Sequence, residues 1–177
     1  MAIVRGCALV ALLMMAGTPD GALAEEGAPV RMVQPGHGAV TNLPLPRFVS
    51  LKGTEGNARR GPSLTQRIDW VFTRRDMPLE ITAEFENWRL VQDKDGAGGW
   101  VHYTLLSGVR TVVVEQDMVT IYDAPDERAR AVAKLQANVV GRVSECTENW
   151  CRIAAGGEKG WALKTALWGV GAAEVLE

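Results

Sequence analysis

Few side chains in this sequence, which carries three cysteines and two histidines, have the chemistry to act on a substrate. Cys146 and Cys151 are separated by Thr147-Glu148-Asn149-Trp150, a spacing open to three uses: a disulfide, half of a zinc site, or a redox pair. Structural zinc takes four nitrogen or sulfur ligands, and beyond the two cysteines the folded part offers only His102. A redox pair usually sits in a C-x-x-C at a helix start, which is absent. If Val139 to Cys146 and Cys151 to Ala154 are paired strands, the turn sets the cysteines opposite each other, a feasible disulfide geometry. The spacing therefore favours a Cys146–Cys151 disulfide over the other two uses, with no metal and no cofactor.

Catalysis finds little support. A nucleophilic Ser, Cys or Thr needs a base beside it, and the folded part has one histidine, His102. His37 lies in Pro35-Gly36-His37-Gly38 and reads as a solvated linker residue. Glu80, Glu84 and Glu86 fall on one face of a strand, where acids serve solubility, and nothing in the pattern implies burial that would raise a pKa. Two arginine pairs, Arg59-Arg60 and Arg74-Arg75, are either solvated loop charges or a clamp for a carboxylate through forked hydrogen bonds. The net charge of −2 gives no electrostatic case for nucleic acid or anionic membrane as a partner. The expectation is a protein that is not an enzyme.

The elements that would carry these residues are β-strands. Leu79, Ile81, Ala83 and Phe85 alternate with acids and Thr82, the pattern of a half-buried antiparallel strand. Phe48 to Leu51, Ile68 to Phe72, Trp88 to Val91 and Trp100 to Tyr103 read as further short strands between Gly-rich or charged turns. Glu86-Asn87-Trp88 and Gly99-Trp100 recur as Glu148-Asn149-Trp150 and Gly160-Trp161, about sixty residues on, so one small unit is used twice. Units of that size are marginal alone, and the linker Ser107 to Arg110 is too short to separate them. They are expected to pack together or to lean on the disulfide, with Trp168 placed to plug the junction. Trp70, Trp100 and Trp161 read as packing residues.

Residues 1–24 have the parts of a secretory signal: Arg5, an apolar run from Cys7 to Ala16, and Ala22-Leu23-Ala24 before the expected cleavage. The run is too short to span the roughly 30 Å hydrocarbon core as a helix. No stable membrane insertion is expected after cleavage, and the product is expected in the periplasm or secreted. Residues 25–46, rich in Gly, Pro and Ala, read as a flexible or extended leader. Barrels are expected over 47–108 and 109–170, with a tail over 171–177.

The run Gly56-Asn57-Ala58-Arg59-Arg60-Gly61-Pro62-Ser63, then Glu86-Asn87-Trp88-Arg89-Leu90-Val91 and Gly99-Trp100-Val101-His102, resembles the bacterial SH3 domain family. In the second copy the opening motif has shrunk to Thr120-Ile121-Tyr122-Asp123-Ala124-Pro125, and the later landmarks survive. The chain is similar to tandem SH3-like exported proteins of proteobacteria. The resemblance implies an all-β fold of two tandem small SH3-like barrels, each five-stranded, after a cleaved signal peptide. It also implies a groove with Trp88 and Trp150 at the strand start. His102 and Leu105, and Leu163 and Ala166, replace the proline and tyrosine of eukaryotic grooves, which argues against polyproline recognition.

The reading that follows is a non-catalytic binding module of the cell envelope, recognising a peptide that is murein-derived or belongs to an envelope protein. Trp88, Arg59, Arg60, Arg74, Arg75 and His102 are the candidate ligand contacts, with peptidoglycan among the possible partners. The alternative is a structural or regulatory partner that docks on an envelope enzyme without a small ligand.

Overall fold

The computed structural model describes residues 35–177. The expected signal peptide and the first part of the leader lie outside the described residues. The first barrel runs β1 (Arg47–Leu51), β2 (Gly56–Arg59), β3 (Ile68–Phe72), β4 (Pro78–Phe85), β5 (Trp88–Gln92), β6 (Gly98–His102), a 3-10 turn at Tyr103–Leu105, and β7 (Leu106–Ser107). The second repeats the series: β8 (Thr111–Val114), β9 (Val119–Tyr122), β10 (Ala131–Leu135), β11 (Val140–Cys146), β12 (Trp150–Ala155), β13 (Glu158–Leu163), a 3-10 turn at Lys164–Ala166, and β14 (Leu167–Trp168). Strand order is β3-β2-β6-β5-β4-β1-β7 in one sheet and β10-β9-β13-β12-β11-β8-β14 in the other, so the two copies share one topology. Each sheet has seven strands where the resemblance implied five. The additional pair is β2 and β3, the two arms of the long connection between β1 and β4, which bond to each other. No helix among the described residues is long and apolar enough to cross a membrane.

Each barrel closes over its own small core. Leu51, Ala58, Phe72, Leu79, Ile81, Val91 and Val101 fill the first. Val114, Ile121, Leu135, Ile153, Ala162 and Leu167 are prominent in the second. At matching positions the copies exchange side-chain size, Ala58 and Phe72 against Ile121 and Leu135, so apolar character is kept while the packing is solved differently. The glycine before each Gly-Trp tryptophan has a steric cause. A Cβ on Gly99 would meet the Arg59 carbonyl oxygen at 2.7 Å, and one on Gly160 would meet that of Tyr122 at 2.9 Å.

The alternation along β4 breaks. A register shift between Ile81 and Ala83 places a bulge there and reverses the faces beyond it. Leu79 and Ile81 point inward as expected, but Glu84 is buried and Phe85 is exposed. The acid face inferred from Glu80, Glu84 and Glu86 is thus wrong at Glu84, because a strict period of two does not survive a bulge. Trp70, expected to pack inside, is 47 % exposed. It lies on the edge strand β3, whose one neighbour is β2. Trp100 and Trp161 are half-buried and stand outside both cores.

The connection after β2 keeps its backbone although its motif does not. In the first copy Arg60 N–H donates to Arg67 O and Ser63 N–H to Gly61 O; in the second Asp123 N–H donates to Arg130 O and Asp126 N–H to Ala124 O. The charge at the head of this loop is reversed between the copies: Arg60 pairs with Asp69 at 3.0 Å, whereas Asp123, in its place, pairs with Arg130 at 3.2 Å.

The barrels meet through β1 and the end of the second copy. Phe48 and Trp168 pack edge to face with ring centroids 5.2 Å apart, in line with the plugging role expected of Trp168. Arg110, in the linker, sits 5.9 Å over the Phe48 ring, is paired with Glu174 and donates to Gly169 O. Burial of the Glu174 carboxyl would raise its pKa; hydrogen bonds from Arg110 and the Gly171 N–H outweigh that and hold it below the ordinary carboxylate value. Cys146 and Cys151 face each other across β11 and β12 and are joined by a disulfide, as their spacing predicts.

Candidate functional site

The β4–β5 hairpin is turned by Glu86 and Asn87, with Glu86 at a positive φ of 44°. Directly after the turn Trp88 pairs with Phe85 on one side and with His102 of β6 on the other. Trp88 is 7 % exposed, so the indole expected to line the groove is largely withdrawn from solvent. What reaches solvent are its neighbours. The His102 ring stands edge-on to Trp88 at 5.4 Å and lies 5.1 Å from the Tyr103 ring, tilted by 34°. His102 Nδ1 and Thr104 Oγ1 share a hydrogen bond of 2.8 Å, which fixes the ring. Phe85 and Tyr103 are 50 % and 49 % exposed. The Arg89 guanidinium lies 6.0 Å from the Tyr103 ring centre and donates to the carbonyls of Glu86 and Trp88 at 2.9 and 2.8 Å.

The shelf therefore consists of Phe85 and Tyr103, backed by Trp88 and His102 and braced by Arg89. Two half-exposed rings, Phe85 at the end of β4 and Tyr103 in the 3-10 turn after β6, suit stacking against flat or apolar groups. Sequence reasoning missed Phe85 because it counted inward in the β4 alternation, and the bulge alone reverses it. Tyr103 was passed over as the end of a strand, although an aromatic beside the landmark His102 was a usable signal.

The arginines are spent largely on the fold. Arg59 Nη1 donates to Leu64 O and Gln66 O at 3.1 and 2.7 Å, which holds the loop after β2. Arg60 shares Asp69 with Arg67, and those two guanidinium groups keep the Asp69 carboxyl below its ordinary value. Arg74 Nη1 donates to Asn138 O of the second barrel at 2.7 Å. Arg75 is exposed. The structure joins Trp88 to His102 directly; Arg59 stands one strand over, opposite Trp100; Arg74 faces the other barrel instead.

Behind the shelf, Glu84 anchors the segment that enters the first barrel. Its Oε2 accepts from Val40 N–H at 3.0 Å and Thr41 N–H at 2.8 Å, and its Oε1 from the Thr41 hydroxyl at 2.7 Å and Arg47 Nη2 at 2.5 Å. Burial alone would raise the carboxyl; the bonds from Thr41, Arg47 and Val40 win and lower it to about 2. Residues 36–45 close a turn on this acid through Gly38 N–H to Leu43 O and Leu45 N–H to Gly36 O.

In the second barrel the same area is covered. Lys164 takes the place of Tyr103 and is 7 % exposed. Its Nζ donates to Ala172 O and Glu174 O at 3.2 and 2.6 Å, and Leu176 forms a two-way backbone bridge with Cys146. Among the described residues no group of three or more His, Cys, Asp or Glu side chains could hold a metal.

No curated protein matches the chain. Among solved structures it is similar to NlpC2 from Trichomonas vaginalis, at 17 % identity and a TM-score of 0.33, over 70 % of this chain and 48 % of that one. It is also similar to NlpC1 from the same organism, at 17 % identity and a TM-score of 0.33, over 77 % of this chain and 50 % of the other. The chain thus spans about half the length of each, and likenesses this slight bear on neither fold nor activity. The sequence family is another matter. The model of the bacterial SH3 domain matches residues 52–108 and again 115–169, in step with the two sheets of shared topology, and the chain belongs to the bacterial SH3 domain family.

Proposed function

We propose that this protein is a non-catalytic, exported binding module of the cell envelope whose first barrel recognises an extended peptide, murein-derived or a segment of an envelope protein. Membership of a family of binding modules supports the class. The observation that carries the choice of surface is the difference in cover between the copies. Phe85 and Tyr103 are half-exposed, whereas Lys164, the counterpart of Tyr103, is buried under the chain's own tail. In this reading the two exposed rings stack on the ligand, Trp88 and His102 support them, and Arg75 with the remaining N–H groups of Arg59 and Arg60 favours an acidic peptide. The one hydroxyl–imidazole pair, Thr104 with His102, has no carboxylate on the far ring nitrogen among the described residues, so nothing orients it as a general base.

Co-sedimentation with purified murein sacculi tests the reading. The mature chain is expected to pellet with sacculi, and Tyr103→Ala to release it. Recovery of a single envelope enzyme by crosslinking, with no retention on sacculi, would favour docking on that enzyme instead.

A further inference from the structure

We propose that the cleft between the two barrels is a second binding site, which takes the C-terminal residue of a peptide: a branched apolar side chain together with its free carboxylate. The cleft is walled by Met77 and Pro78 of the first barrel and by Val113, Val140 and Trp168 of the second, and holds about 150 Å³. That is the size of cavity that admits one benzene-sized apolar group. Ligand sites favour such junctions, where apolar walls meet a few polar groups.

The polar groups stand at the rim: Arg74, Lys94, Asp95 and Asn138. Lys94 is taken up by Asp95 at 2.9 Å. Arg74 is not matched in this way. One of its N–H groups goes to the Asn138 carbonyl, and among the described residues no carboxylate pairs with it. A guanidinium without an anion, held in place by the neighbouring barrel at the edge of an apolar hollow, suits a carboxylate through a forked pair of hydrogen bonds. The volume limits the attached side chain to about the size of leucine. The site is separate from the Phe85–Tyr103 shelf and stands or falls independently of it.

Nuclear magnetic resonance on the full mature chain, titrated with N-acetyl-leucine, N-acetyl-leucinamide and N-acetyl-glycine, tests the proposal. N-acetyl-leucine is expected to give saturable shifts at the Trp168 indole and at the Val113 and Val140 methyls. The amide, which keeps the side chain and loses the charge, is expected to bind about tenfold more weakly, and the glycine derivative weaker still. Val140→Phe fills the cleft and should abolish the shifts while Arg74 remains; Arg74→Lys should weaken binding by removing the fork. Tyr103→Ala, which disables the shelf, should leave all of these shifts unchanged. Equal binding of acid and amide, shifts centred on Tyr103, or no saturation would overturn the site. The acid–amide comparison needs no variant, so it decides the matter even if either substitution unsettles the fold.

Discussion

Glu84 and Arg89 face each other across β4 and β5 at the same place in the first barrel where Cys146 and Cys151 are bonded in the second. In each copy the pair brackets the Glu-Asn-Trp turn. In the first barrel the contact is an ion pair at 3.5 Å; in the second it is covalent. In each pair the first member also holds a flanking segment: Glu84 binds Val40 and Thr41, and Cys146 bridges Leu176. The duplicated unit keeps one junction and closes it by two chemistries.

Opening the disulfide should therefore weaken the second barrel selectively. The loop it closes is short, so replacing both cysteines by serine is expected to cost about 2 kcal/mol. Chemical denaturation of the variant against the parent measures this. Peptide mass spectrometry of the parent under non-reducing conditions should show the loss of about two hydrogens across the Cys146–Cys151 peptide. Two freely alkylated thiols would contradict the pairing.

The positional match makes a reciprocal forecast. Glu84→Cys with Arg89→Cys should form a disulfide in the first barrel, because β4 and β5 oppose these residues as β11 and β12 oppose the cysteines. The same change strips the bonds that hold Val40 and Thr41, so proteolysis ahead of Arg47 should accelerate even as the barrel is crosslinked. A double variant that stays reduced under oxidising conditions would break the equivalence.

Acid should release Glu84. Its carboxyl, ordinarily at 4.5, is lowered to about 2 in the fold, so the unfolded chain takes up the proton first. The stabilisation is complete above about pH 4.5 and drains away as the pH falls from there to about 2. At neutral pH Glu84→Gln is expected to cost roughly 3 kcal/mol, the size of a buried carboxylate shift of this extent. Denaturation midpoints of parent and variant should converge below about pH 2. A constant difference across that range would place the stabilisation elsewhere.

The Phe48–Trp168 contact and the Arg110 contacts imply that the barrels melt together. A chain ending at Gly108 should be much less stable than the full chain, and Trp168→Ala should cost about 2 kcal/mol for a half-buried indole packed edge to face on Phe48. Calorimetry would show one transition for the parent. Two independent transitions, with the first at the same temperature in the shortened chain, would refute the coupling.

On the shelf, Tyr103→Ala is expected to weaken peptide binding by about 2 kcal/mol if the ring is a central anchor, with little change in stability because the side chain is half-exposed. Trp88→Ala should lower stability and binding together, since the indole is buried. Trp150→Ala should act on stability alone. Isothermal titration beside thermal melts separates these outcomes; loss of binding confined to Trp150 would move the site to the second barrel.

Much of this was legible in the residues. The repeated Glu-Asn-Trp and Gly-Trp landmarks gave the duplication, and the cysteine spacing gave the disulfide, because both depend on local turn geometry. Glu84 was misread because a single bulge at Ile81–Ala83 inverts the strand faces, and nothing in Thr82 announces it. Strand β2 was hidden in Gly56-Asn57-Ala58-Arg59, whose composition reads as a turn but whose backbone is recruited by β3 and β6. Trp70 was assigned to the interior on its type alone; exposure on an edge strand depends on sheet order, which no local pattern encodes. The roles of Arg59 and Arg74 rest on carbonyls distant in sequence, Gln66 and Asn138.

The strand order also governs how the unit can be moved between proteins. The family match begins at residue 52 in one copy and 115 in the other, one position after β1 and β8 end. Yet β1 lies between β4 and β7, and β8 between β11 and β14. A graft cut at the borders of the family match would carry a ring with one stave missing, leaving the strands on either side of the lost one with unsatisfied edges facing each other. A transplantable version of this module must start upstream of its own signature, at Arg47 for the first copy, or at Pro35 to keep the segment held by Glu84, and at Thr111 for the second.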